Sequence, residues 1–116
     1  MSILSPESAR YYYDQILSIE AADGPKKTDK FKDLRAVLDS LFKELTSQEK
    51  QYFQSTFSRS SYVFDKYNVA SDIRDEINGF RRKANDVVHT AGADVSDDEM
   101  LTGMRALSLA ISHFEG

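Results

Sequence analysis

Phe31-Lys32-Asp33-Leu34-Arg35-Ala36-Val37-Leu38-Asp39-Ser40-Leu41-Phe42-Lys43-Glu44-Leu45 decides the fold. Phe31, Leu34, Leu38, Leu41, Phe42 and Leu45 recur three and four positions apart, the period of a helix with one buried stripe. Thr28 stands where an N-cap would open that helix. Upstream, Ser5 precedes Pro6, whose missing N–H costs nothing in a first helical position, and Ala9, Tyr12, Ile16 and Ile19 continue at helical spacing. Asp23-Gly24-Pro25 stops this first helix. Downstream, Thr46-Ser47-Gln48-Glu49 has the spacing of a capping box, which predicts a third helix from near Ser47 through Tyr52, Phe53 and Phe57. Between Ser58 and Asn68 the period blurs, and Tyr62, Val63, Phe64 and Tyr67 predict a short helix or turn that tucks aromatics under a bundle. Ser71 is the predicted cap of a further helix, with Asp72 at its positive end, running to His89-Thr90-Ala91-Gly92. Ser96-Asp97-Asp98-Glu99 is a second capping box that launches Met100, Met104, Leu107, Ile111 and Phe114 on one face. No strand alternation and no internal repeat interrupts this pattern. The expectation is an all-α antiparallel bundle of four main helices plus a short fifth, forming one domain over residues 1–116.

Bulk properties narrow the function classes. With 116 residues there is room for one core but not for separate cofactor and substrate domains. The 41% hydrophobic and 29% charged shares are those of a globular domain. No apolar run has membrane-span length, and Met1-Ser2-Ile3-Leu4-Ser5 lacks the basic-then-apolar order of a secretion signal, so a cytoplasmic location is expected. The absence of cysteine removes disulfides, thiolate metal sites and cysteine nucleophiles together. A net charge of −4 lacks the overall basic excess of a dedicated nucleic-acid binder, while leaving room for a local basic patch. Since the last helix still runs at Phe114, the chain is expected to be an N-terminal domain of a longer protein.

One helix carries chemistry as well as packing. In Ile77-Asn78-Gly79-Phe80-Arg81-Arg82-Lys83-Ala84-Asn85-Asp86-Val87-Val88-His89, at about 100° per residue, Ile73, Ile77, Phe80, Ala84, Val87 and Val88 form the apolar stripe. Asn78, Arg82, Asn85 and His89 fall within about 60° of one another on the far side. Imidazole titrates near neutral pH and exchanges protons, and a guanidinium holds phosphate, so His89 with Arg82 is a pair suited to phosphodiester chemistry. Asn85 could orient the ring or bind phosphate, and Asn78 extends the row. Plainer roles exist for each: His89 in a last helical turn complements the macrodipole, and outward arginines are commonly just solvated.

Arg81-Arg82-Lys83 with Arg74 forms a basic run, but Asp72, Asp75, Glu76 and Asp86 sit among these cations and favour a salt-bridged surface. Lys26, Lys27, Lys30, Lys32 and Arg35 are interrupted by Asp29 and Asp33 in the same way. Tyr11-Tyr12-Tyr13 cannot all face a core, so one or two should reach the surface. His89 and His113 are the two histidines, and no ligand spacing for a metal or motif for a cofactor accompanies them. No metal or cofactor is expected.

The Ile77–His89 stretch resembles a signature of small helical domains in the HEPN-like superfamily. It is most similar to a subgroup of unknown function found at the N-termini of type I restriction motor subunits and helicase-like proteins. That subgroup's arginine, small residue, asparagine and histidine match Arg81, Ala84, Asn85 and His89. The likeness covers about the last 45 residues, with Gly92 through Phe114 as its loop and final helix. It implies a non-catalytic accessory domain that mediates dimerisation, docking or RNA or DNA contact through Arg81, Arg82, Asn85, Asn78 and His89. The wider superfamily includes metal-independent ribonucleases with an arginine and a histidine a few residues apart, assembled across a two-fold dimer. Arg82 and His89, with six residues between them, fit its loosest form, and Lys83 departs from the tight one. A toxin-like ribonuclease and a pure protein-interaction bundle are thus the alternatives.

Overall fold

The computed structural model describes residues 3–116. Five helices follow in order: α1 (Pro6–Ala21), α2 (Lys27–Leu45), α3 (Thr56–Lys66), α4 (Ser71–His89) and α5 (Asp97–Glu115). The fold is all-α, with no strand among the described residues. No helix is long and apolar enough to cross a membrane.

The stripe on α2 explains the architecture. Phe31, Leu34, Val37, Leu38, Leu41, Phe42 and Leu45 are all buried, more than one neighbour can cover, and α2 packs against each of the other four helices. α5 is the second central element, in contact with α1, α2 and α4. Perpendicular aromatic pairs fill the space between them. Phe42 meets Phe64 of α3 at 5.7 Å and Phe114 of α5 at 6.1 Å, while Phe31 meets Phe80 of α4 at 5.2 Å. Tightness at this last crossing depends on Gly103, where a Cβ would lie 2.9 Å from the Phe80 ring. The Phe114 carbonyl accepts both Ile3 N–H (2.9 Å) and Leu4 N–H (3.0 Å), which pins buried Leu4 against the end of α5.

Two predicted caps form. Ser5 Oγ accepts the Ser8 N–H at 3.1 Å, and Ser96 with Glu99 closes a reciprocal box at 3.1 and 3.0 Å. The others differ. α2 opens at Lys26 rather than Thr28, and α4 at Ala70 rather than Ser71, neither with a side-chain cap. Thr46 ends α2 instead of starting a helix, its hydroxyl donating to the Phe42 carbonyl at 2.8 Å. Glu49 is drawn to Tyr62 and Lys66 on α3, so no box forms and residues 49–54 are loop. The third helix starts at Thr56, capped by Ser55 with Ser58 in the role sought for glutamate. This 11-residue helix stands where a short helix or turn was expected, and no helix starts near Ser47. Of Tyr52, Phe53 and Phe57, Phe53 alone is buried.

Tyr12 is buried with its hydroxyl on Glu44 Oε1 at 2.7 Å, Tyr13 is half-buried and Tyr11 exposed, as three consecutive tyrosines require. Burial and the Glu44 carboxylate together push the Tyr12 phenol up from its ordinary range. α4 ends at His89, and Gly92 takes its left-handed turn (φ 78°) inside the loop that follows.

Candidate nucleic-acid interface

α4 meets α2 and α5 along Ile77, Phe80, Ala84 and Val87, all buried. Val88, placed on this stripe by the helical period, is instead 38% exposed, since α2 has only begun at that level. The buried stripe sets the direction of every polar side chain on the helix.

The flank turned to α2 and α3 carries the candidate residues. Arg81 is half-buried, its guanidinium 4.7 Å from the ring centroid of Phe57 in the first turn of α3. Its Nε–H donates to Asn78 Oδ1 at 3.5 Å. Burial, and then the like charge of Arg82, lowers the proton affinity of Arg81, although arginine stays charged at physiological pH. Arg82 is exposed. Asn85 accepts Arg35 Nε–H from α2 through Oδ1 at 3.2 Å, which leaves the asparagine N–H₂ free to donate. Arg35, Arg81 and Arg82 form no ion pair among the described residues.

His89 lies elsewhere. It is exposed at the end of α4 and lines an open cleft of about 730 Å³ with Lys26, Lys27, Thr28 and Lys32 from the start of α2. No hydrogen bond among the described residues joins it to Arg82, from which it is separated by two turns, about 10 Å of helix. The predicted row therefore divides. Asn78 goes with Arg81, Asn85 with Arg35, Arg82 faces solvent, and His89 belongs to the cleft.

The basic run divides too. Arg74 is used structurally, donating to the Val69 carbonyl (2.7 Å), the Phe64 carbonyl (2.8 Å) and Asp65 (2.8 Å). Lys83 points the other way and pairs with Glu99 of α5 at 2.9 Å. The Ser96 N–H, and then that pairing, hold the Glu99 carboxyl below its ordinary range.

The two residues that sequence reasoning left out of this site are Arg35 and Phe57. Arg35 is on the polar edge of α2 within a charge run that looked self-neutralising. Phe57 falls inside the helix expected from near Ser47, whereas the observed helix begins at Thr56 and places it in the first turn. Only the placement of α2 and α3 beside α4 assembles them. No cluster of three or more histidine, aspartate and glutamate side chains suited to a metal occurs among the described residues.

Chemically, the seam offers donors and positive charge held in place: two anchored guanidiniums, one free one and an amide. That set matches phosphate oxygens and gives little to a neutral ligand. No family model, curated protein or solved structure matches the chain.

Proposed function

We propose that this chain is a non-catalytic accessory domain that contacts nucleic acid through the seam between α2 and α4. The observation that carries the reading is that Arg35, held by Asn85, and Arg81 and Arg82 on α4 have no ion-paired carboxylate among the described residues. Cations left uncompensated on one surface are the electrostatic footprint of phosphate recognition. The HEPN-like resemblance supplies the wider setting: a larger nucleic-acid-processing protein of helicase or restriction-motor type, with dimerisation or docking as companion roles. The non-catalytic part is supported by the placement of His89, which lines a separate cleft with Lys26, Lys27, Thr28 and Lys32, two helical turns from Arg82.

The test is fluorescence anisotropy with labelled oligonucleotides at low salt, followed by gel analysis of the same oligonucleotides in EDTA. Binding without cleavage is expected, and His89→Ala should leave both results unchanged. Cleavage that disappears in His89→Ala would replace this reading with the metal-independent ribonuclease built from Arg82 and His89. Failure to bind any oligonucleotide at low salt would replace it with a protein-interaction bundle.

A further inference from the structure

Resting on that reading of the seam, we infer that it takes single-stranded nucleic acid, with Phe57 as the platform on which one unpaired base stacks. Phe57 is 52% exposed although it belongs to the first turn of a packed helix. It is not idle surface. Arg81 covers part of the ring at 4.7 Å, and Asn78 steadies that guanidinium. A flat apolar face is thus held against Arg81, with Arg82 next to it in sequence and Arg35 bonded to Asn85 one turn further along α4. None of the three has an ion-paired carboxylate among the described residues.

Each component asks for a different part of one ligand. The guanidiniums match phosphate oxygens. An exposed ring gains from a second π face, which every nucleobase provides whatever its sequence. In a duplex those faces are already covered by neighbouring bases, so only an unpaired base can use Phe57. A protein partner would also value an aromatic and arginines, but it would have to bring carboxylates for three guanidiniums at once. A phosphate backbone brings that charge with every residue.

The experiment measures anisotropy of 12-nucleotide RNA and DNA single strands and of their duplexes, at low salt, for the full chain. Wild type should bind single strands several-fold more tightly than duplexes, the tighter of RNA and DNA naming the natural ligand. Phe57→Ala should weaken single-strand binding by roughly 5- to 150-fold, the range for losing one aromatic–base stack, while leaving duplex binding unchanged. Phe57→Tyr should restore it. Because the chain has no tryptophan, Phe57→Trp adds a single indole whose emission should be quenched by single strands and not by duplexes. Circular dichroism melting of each variant confirms that the bundle is intact. Equal binding of both forms, unaffected by Phe57→Ala yet weakened by Arg82→Ala, would overturn the stacking inference and leave the nucleic-acid reading standing. No binding of any oligonucleotide would overturn both.

Discussion

The two flanks of α4 receive the same kind of side chain and treat it differently. Toward α5, Lys83 is met by Glu99, and Glu76 by Arg105 at 3.7 Å. Toward α2 and α3, Arg81 meets a phenyl ring and an asparagine, Asn85 meets another arginine, and Arg82 stays in solvent. The neighbours explain the contrast. α5 begins with Asp97, Asp98 and Glu99, because acids suit the positive end of a helix, and this acidic turn lies beside Lys83. On α2 the carboxylate nearest in sequence to Arg35 on that edge, Asp39, accepts the Thr56 hydroxyl instead. Charge content alone does not make a basic patch; the partner helix decides which cations stay available.

Both flanks depend on the core beneath α4. Phe80→Ala should lower unfolding free energy by about 3–5 kcal/mol in urea denaturation and loosen both surfaces. Gly103 and Gly79 differ in the room that each leaves for a side chain. Gly103→Ala puts a methyl 2.9 Å from Phe80 and 3.2 Å from Phe31, and should cost about 1–3 kcal/mol. Gly79→Ala meets nothing within 4 Å on the helix surface, so the same denaturation should show a gain of about 0.5–1 kcal/mol.

Binding then separates the flanks directly. Arg82→Ala should reduce the slope of log affinity against log salt by about 1, whereas Lys83→Ala on the paired flank should leave affinity nearly unchanged. A loss in Lys83→Ala equal to that in Arg82→Ala would erase the distinction. The smallest effect is acid sensitivity. Glu99 has a depressed folded pKa, so its contribution is complete above the ordinary carboxylate value of about 4.3 and fades as pH falls through the lower folded value. Glu99→Gln should flatten that part of the stability–pH curve, read from melting temperatures between pH 5 and 2.

What was legible in the sequence follows the same division between local and assembled features. Ser5-Pro6 and Ser96 to Glu99 could be read because the cap and its partner lie within one turn. So could the buried faces of α2 and α5, set by the helical period alone. Thr46 and Glu49 have capping spacing yet serve other ends, because Thr46 finds the Phe42 carbonyl and Glu49 finds Tyr62 and Lys66. Those competitors are tertiary, and spacing does not reveal them. The helical period puts Val88 on the stripe but does not say where the covering helix begins, and Val88 lies beyond that cover. In the candidate site, Arg81, Arg82, Asn85 and Asn78 could be named from one helix. Arg35 and Phe57 could not, because they arrive from two others.

The contact between the two ends of the bundle changes how the chain can be cut. With the amides of Ile3 and Leu4 both on the Phe114 carbonyl, the described polypeptide nearly closes into a ring. A short linker joining those ends would let new termini be opened in the loop between α2 and α3. The permuted chain would keep the α2–α4 seam whole, while its order of synthesis would place α3 and α4 ahead of α1 and α2.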